Sequence, residues 1–129
     1  MKSADIAADL RQQQTAWVAR MTDERRLSPN SVSSYQRDMR QFLVFLNGHF
    51  ERPITLSDFA TLTLQDLRAF LASRRIDGAE SRSLLRAMSG LRNFTQFLDL
   101  KNIAVSQAFQ TVNMPKRKAT LPRPVDAET

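Results

Sequence analysis

The segment SPNSVSSYQRDMRQFLVFL, residues 28–46, shows most directly how this chain folds. Ser28 followed by Pro29 is typical of a helix start, because the hydroxyl can accept a hydrogen bond from a free backbone N–H and proline suits the first helical position. Apolar residues then recur every three or four positions, which predicts one buried helical stripe. That stripe comprises Val32, Tyr35, Met39, Phe42, Leu43 and Leu46. We expect Gly48 to end the helix and Pro53 to lie in the following connection.

The same periodicity predicts a helix before this one and another after it. The first should run from about Ala4 to Met21 and bury Ile6, Leu10, Trp17 and Met21. Two hydroxyl residues each precede an acid by three positions, in the segments 55–58 and 63–66, as in a capping box. They predict a one-turn helix and then a helix from Leu64 to about Ile76, closed by Gly78.

Two further helices complete the predicted domain. One runs from about Glu80 to Leu100, with Asn102 near its end, and buries Leu84, Met88, Leu91, Phe94 and Leu98. A short one over residues 105–112 should form a lid that buries Val105, Phe109 and Val112. With only three glycines and no strand-like alternation, the sequence predicts an all-α fold, a compact bundle of four principal helices with a short fifth.

The composition limits the possible chemistry. The chain has 19 Lys and Arg against 13 Asp and Glu, a net charge of +6, which favours a polyanionic partner. It has no cysteine and one histidine, His49, so we expect no metal site, no disulfide, no cofactor and no small-molecule substrate. Tyr35 belongs to the buried stripe and is not a candidate nucleophile. No apolar run is long enough to cross a bilayer, so we expect no membrane partner and a cytoplasmic location.

Polar faces on two of the helices are the candidate binding surfaces. On the helix over 80–100, one stripe opposite the apolar one holds Arg82, Arg86, Ser89 and Asn93. On the helix over 28–46, the outward residues are Asn30, Ser34, Arg37 and Gln41, flanked by Ser31 and Ser33. Arginine and serine suit DNA phosphates and base edges, although every amphipathic helix has a solvated face. Two acid-poor faces, together with Lys116, Arg117 and Lys118, favour DNA.

The segment PKRKATLPRP, residues 115–124, predicts an exposed linker, because its prolines cannot continue a helix and its cations are costly to bury. We therefore expect a helical DNA-binding domain over residues 1–114. Residues 115–129 would be an interdomain linker and the start of a second domain, so that the chain is one part of a longer protein.

Several motifs resemble the core-binding domain of the tyrosine recombinases, or phage-type integrases. They are LSPNSV at 27–32 with Tyr35, Arg37-Asp38-Met39, Phe42 and Phe45-Leu46; LTLQDLRAFL at 62–71; SLLRAMSGLRNF at 83–94 with Phe97-Leu98; and Pro115-Lys116 with Leu121-Pro122-Arg123-Pro124. The last pair is similar to the interdomain connection of the Xer branch, bacterial enzymes that resolve chromosome dimers. The Arg-rich and Ala-rich composition favours the XerC-like members of that branch.

The resemblance implies a four-helix SAM-like domain that, with a C-terminal catalytic domain, clamps a duplex recombination half-site. It implies DNA contacts from the second and fourth principal helices and from the linker. By positional match these are Ser31, Ser33, Ser34, Arg37, Arg82, Ser83, Arg86, Asn93, Lys116, Arg117 and Lys118.

The resemblance also implies that this chain is catalytically inert. The family's tyrosine nucleophile, which forms a 3′-phosphotyrosyl intermediate, belongs to the second domain. The intact protein would act at the bacterial nucleoid with a paralogous recombinase subunit in a DNA-bound tetramer. Two alternatives stay open: a mobile-element or integron integrase, and an all-helical protein-interaction adaptor, which would expose Phe45 and Phe97 together.

Overall fold

Helix α2 spans Pro29–Phe50 in the computed structural model, which describes residues 6–24 and 27–112. Its predicted start is confirmed, since the Ser28 side chain accepts a hydrogen bond from the Ser31 N–H at 3.1 Å. The prediction that Gly48 ends it is wrong, because the helix stops only at Glu51, which has a left-handed φ of 58°. Glycine costs about 1 kcal/mol within a helix, but the residue after it, His49, stacks on Phe45 with ring centroids 5.2 Å apart and so packs this last part of α2.

Helix α1 spans Ala8–Glu24 and so begins and ends later than predicted. Ile6 and Ala7, directly before it, are not helical, because the Ala7 N–H donates to the Ile54 carbonyl at 2.9 Å and Ile6 forms an isolated parallel bridge with Ile54. The predicted inward face is confirmed for Leu10, Trp17 and Met21, which are buried, whereas Ile6 is half-buried.

The short helix α3 spans Asp58–Thr61, and α4 spans Leu64–Ile76 with the bounds that the sequence predicted. The capping box of α4 is complete: the Asp66 N–H donates to Thr63 Oγ1 at 3.1 Å, and the Thr63 N–H donates to Asp66 Oδ2 at 2.8 Å. Gly78 follows with a φ of 99°, which favours glycine and explains the sharp turn towards the next helix.

Helix α5 spans Ser81–Leu100, with Asn102 in the left-handed region at a φ of 61° just beyond it. All five apolar residues of its predicted stripe are buried. The buried face is wider than predicted, because it also takes in Gly90, Thr95 and Phe97. Phe97 is therefore a packing residue with an exposed fraction of 7%, and it is not exposed as the protein-interaction alternative would require.

The predicted lid forms as helix α6, which spans only Ala108–Thr111. It starts later than predicted because Ser106 is held by the α3 region: its N–H donates to the Phe59 carbonyl at 2.7 Å and its hydroxyl to the Leu62 carbonyl. Phe109 and Val112 are buried as predicted, and Val105 is half-buried.

Aromatic rings fill the centre of the bundle. Phe42 packs edge-on against Phe70 at 5.0 Å, Phe59 stacks on Phe109 at 5.8 Å, and Trp17 packs against Phe94 at 5.0 Å. Phe59 also packs edge-on against Phe42 at 6.1 Å and Phe94 at 5.4 Å, which joins all six described helices into one core, and the predicted all-α fold class is confirmed.

Across the described residues, no helix has the length and apolar character needed to cross a membrane. The predicted linker and second-domain start at residues 115–129 lie outside the described part of the chain.

Candidate nucleic-acid interface

The first turns of α2 carry the four residues predicted on this helix. Ser33 and Arg37 are exposed, whereas Ser31 and Ser34 are half-buried. Ser31 belongs to the helix cap, because Ser28 Oγ donates to its hydroxyl at 3.2 Å and accepts from its N–H. Arg37 Nη2 lies 3.5 Å from Ser34 Oγ, a long contact that leaves the guanidinium accessible. Ser33 and Arg37 are therefore the α2 residues best able to meet a ligand.

The polar stripe of α5 separates into exposed residues and residues held by other helices. Arg82 and Ser89 are exposed, and Ser83 is half-buried. Arg86 and Asn93 lie where the widened buried face brings α5 against its neighbours, so each is hydrogen-bonded to another helix. The prediction that all four stripe residues point away from the bundle holds only for Arg82 and Ser89.

Arg86 forms a forked ion pair with Asp38 of α2. Its Nε donates to Asp38 Oδ2 at 2.9 Å, and its Nη2 donates to Asp38 Oδ1 at 3.0 Å. The Asp38 side chain is almost fully buried, while 40% of the Arg86 side chain remains exposed. The hydrogen bond with Asp38 raises the pKa of Arg86, so this guanidinium is permanently charged.

The side chain of Asn93 is hydrogen-bonded inside the bundle. Its Oδ1 accepts a hydrogen bond from Trp17 Nε1 at 2.8 Å, which satisfies the indole of a side chain only 1% exposed. A buried indole N–H needs such a partner. The identity of residue 93 is explained by this contact without reference to DNA.

The Asp38–Arg86 pair also explains the electrostatics of the α2 and α5 surface. Asp38 is the one acid of α2, and Asp99 at the far end is the one acid of α5. Because Asp38 is buried and paired with Arg86, the exposed residues within α2 and α5 before Asp99 are arginine, serine and other residues without a carboxylate, and the exposed Glu80 lies just before α5. Such a surface attracts polyanions.

A groove between α2 and α4 adds cations that the sequence analysis missed. The cavity there has a volume of about 480 Å³, and its lining includes Arg37, Arg40, Phe45, Phe70 and Arg74. Arg40 follows Arg37 by three positions and so shares its helix face, which is the sequence signal that could have identified it. Arg74 lies 3.6 Å from Asp77.

Catalytic and metal-binding interpretations gain no support from the described residues, which contain no group of three or more potential metal ligands. His49 Nε2 lies 3.0 Å from Asp66 Oδ1 and its ring packs between Phe45 and Phe50. Burial raises the pKa of Asp66, but hydrogen bonds from Thr63 and His49 outweigh it and lower the pKa overall. Tyr35 is half-buried against Gly90, in keeping with its assignment to the packed side of α2.

Lys116, Arg117 and Lys118 lie outside the described residues. The structure therefore brings together the α2 and α5 candidates on neighbouring helices. Ser31, Arg86 and Asn93 make hydrogen bonds within the domain, so they are wholly or partly unavailable to a ligand.

Comparison with known proteins decides the family. The sequence pattern of the phage integrase, N-terminal SAM-like domain matches residues 15–102, more than two thirds of the chain. The chain belongs to this family. The match takes in all of α2 to α5, the elements that carry the candidate interface.

Relatives of this integrase SAM-like domain include proteins named tyrosine recombinase XerC. The one from Nitrobacter winogradskyi is 39% identical over 122 residues, which are 95% of this chain and 38% of that protein. Those from Agrobacterium fabrum and Rhizobium meliloti are 43% identical over 117 residues and 45% identical over 107 residues, covering 91% and 83% of this chain. They confirm the predicted resemblance to the Xer branch. No solved structure matches.

The integrase SAM-like domain spans a little over a third of the length of these curated relatives, since the aligned parts are 38%, 37% and 34% of them.

Proposed function

We propose that this domain binds double-stranded DNA through α2 and α5, as one arm of a clamp around a recombination half-site. The observation that carries the proposal is the exposure of Arg37 and Arg82 on neighbouring helices, where the carboxylate between the two helices, Asp38, is buried and paired with Arg86. Membership of the integrase family supports the same partner.

The chemistry of the exposed groups suits a duplex. Guanidinium groups form bidentate hydrogen bonds with phosphates and with the edges of guanine. Serine hydroxyls near a helix N-terminus bind phosphate oxygens. Arg82 and Ser83 lie in the first turn of α5, where the helix dipole also favours an anion, whereas Ser33 and Arg37 lie in the second and third turns of α2. Arg40, at the adjoining groove, extends the cationic surface.

The observation required by the protein-interaction alternative is not found. Phe97 is 7% exposed, and Phe45 is half-buried with its ring 5.7 Å from that of Phe70. These aromatic residues form no joint exposed patch, so we prefer the DNA-binding function.

The wider role follows from the relatives' name and from the family resemblance. We propose that residues 1–114 form the DNA-binding domain and that Lys116, Arg117 and Lys118 follow the DNA strand as part of a linker. Strand cutting through a tyrosine would belong to a second domain, so that this chain alone is inert. The intact protein would act in the cytoplasm, at the nucleoid, pairing with a paralogous subunit in a DNA-bound tetramer to resolve chromosome dimers.

The test is a fluorescence-anisotropy titration of the 129-residue chain with a duplex carrying the host's recombination half-site and with a scrambled duplex, at several salt concentrations. Arg37→Ala and Arg82→Ala should each weaken binding and reduce the slope of log affinity against log salt by about 0.9, the value for one lost phosphate contact. Arg11→Ala removes the same charge from the exposed face of α1 and serves as the matched control.

Equal losses from all three variants would mean that binding follows net charge and not this surface. No binding of the unmodified chain at low salt would overturn the proposed function. Preference for the half-site would show that the domain reads sequence, whereas equal binding to both duplexes would assign specificity to other parts of the recombinase.

A further inference from the structure

The buried carboxylate of Asp38 is the least expected group on the proposed DNA-binding surface. It lies in α2, one turn after Tyr35, and is 2% exposed. Burying a carboxylate is costly unless it is paired, and a negative charge close to bound DNA repels the phosphates. Long-range electrostatics alone would thus disfavour an acid here, so the contact that Asp38 makes needs an explanation of its own.

That contact uses one edge of the Arg86 guanidinium. Nε and Nη2 donate to the two oxygens of Asp38 at 2.9 and 3.0 Å, which leaves the N–H groups of Nη1 outside the fork. The Arg86 side chain as a whole is 40% exposed, so part of it remains accessible to solvent beside the fork. A guanidinium held on one edge has lost most of its rotational freedom before any ligand arrives.

The backbone beneath the pair is also held closely. A Cβ atom built on Gly90 of α5, one turn after Arg86, would lie 3.0 Å from Cδ1 of Tyr35, tighter than an ordinary van der Waals contact, so the Tyr35 ring of α2 packs closely against α5 there. Tyr35 and Gly90 thus fix the separation of α2 and α5 one turn from Asp38 and Arg86. The ion pair therefore occupies a defined position between the two helices.

We infer that Asp38 is a positioning residue for DNA binding, which holds the Arg86 guanidinium so that its free Nη1 edge meets a backbone phosphate at the junction of α2 and α5. The inference rests on the proposed function and deepens it. Asp38 itself does not touch DNA; it acts through Arg86, and the guanidinium is shared between a carboxylate inside the bundle and a phosphate outside it.

The direction in which one substitution changes DNA affinity tests this role. Asp38→Asn removes a negative charge, so electrostatics alone predicts tighter DNA binding. Positioning predicts weaker binding, by about tenfold at about 50 mM salt, with a salt slope reduced by about 0.9, because one phosphate contact is lost. Glu80→Gln is the matched control: it removes an exposed acid that makes no side-chain capping bond at the start of α5, and affinity should stay equal or rise slightly.

Arg86→Gln and Arg86→Lys keep the inference testable even if Asp38→Asn fails to fold, which circular dichroism would reveal. A lysine can satisfy Asp38 but has no second edge for a phosphate, so Arg86→Lys should lose affinity like Arg86→Gln although the net charge is unchanged. In a double-mutant cycle, Asp38→Asn should cause no further loss in the Arg86→Gln background.

The outcomes separate this inference from the proposed function. If the unmodified chain does not bind duplex DNA, both are overturned. If it binds, but folded Asp38→Asn binds as tightly or more tightly, or Arg86→Lys binds normally, the positioning role is overturned and the DNA-binding function stands. Matched losses for Asp38→Asn and Arg86→Gln, without additivity, would establish the role.

Discussion

Replacing Asp58 with asparagine should lower the free energy of unfolding by about 1–2 kcal/mol at pH 7. The Asp58 carboxylate accepts from Arg52 Nη1 at 2.8 Å, from Arg52 Nη2 at 2.7 Å and from the Thr55 N–H at 2.7 Å. Asparagine preserves the shape but removes the charge and turns one acceptor into a donor that faces Arg52. The side chain is 12% exposed, so these bonds are only partly replaced by water.

The expected size of this stability change follows from the lowered pKa of Asp58. The hydrogen bond from Arg52 is the largest factor that lowers the pKa of Asp58 from 3.8 to about 2. A shift of this size corresponds to at most about 2.5 kcal/mol, and solvent around the half-exposed Arg52 reduces it to about 1–2. Because the folded-state pKa is lowered, this stability is present above pH 3.8 and is lost as the pH falls towards 2.

The assay is urea unfolding followed by the fluorescence of Trp17, the single tryptophan of the chain. The difference between the unmodified chain and Asp58→Asn should shrink to about a third of its pH 7 value at about pH 2.5. Asp23→Asn, at an exposed acid near the end of α1, should change stability by less than about 0.5 kcal/mol at either pH. A difference for Asp58→Asn that is the same at both pH values would refute the reasoning.

Three other substitutions test a buried hydrogen bond and the backbone conformation of the bundle. Asn93→Ala should leave the Trp17 indole without its acceptor, which should lower the free energy of unfolding by about 1–2 kcal/mol and shift the tryptophan emission. DNA affinity should change less than twofold. A loss of DNA affinity as large as that of Arg82→Ala would assign Asn93 to the interface. Gly78→Ala should lower the free energy of unfolding by about 1–2 kcal/mol, because alanine is strained at the φ of 99° that Gly78 adopts. Gly48→Ala should raise the free energy of unfolding by about 0.5–1 kcal/mol, because Gly48 lies within α2 and has open space around it. Opposite signs in thermal unfolding are the expected result, and equal signs would contradict the conformational argument.

The helices could be predicted from the sequence because their signals are local. The Ser28-Pro29 start of α2 and the Thr63 and Asp66 capping box of α4 depend only on residues within one helical turn. The prediction for Gly48 was wrong because it used only the low intrinsic helix preference of glycine. The contacts that extend α2 to Phe50 include those of His49, which stacks on Phe45 and lies against Asp66 of α4.

The candidate interface was predicted only in outline. Periodicity places Arg82, Arg86 and Asn93 on one side of α5, but it cannot show which neighbouring helix approaches that side. Only the packed structure reveals that Asp38 lies 48 positions before its partner Arg86 and Trp17 lies 76 before Asn93. A helical wheel contains no information about residues so distant in sequence.

The contacts of Arg92 have a mechanical consequence. Its Nε donates to the Phe109 carbonyl at 2.8 Å and its Nη2 approaches the Val112 carbonyl at 3.5 Å, so the last described residues are anchored to α5. Arg82 lies on the same helix, ten positions earlier. A change in the tilt of α5 would therefore also displace Phe109 and Val112, so α5 links the proposed DNA contact to the last described residues.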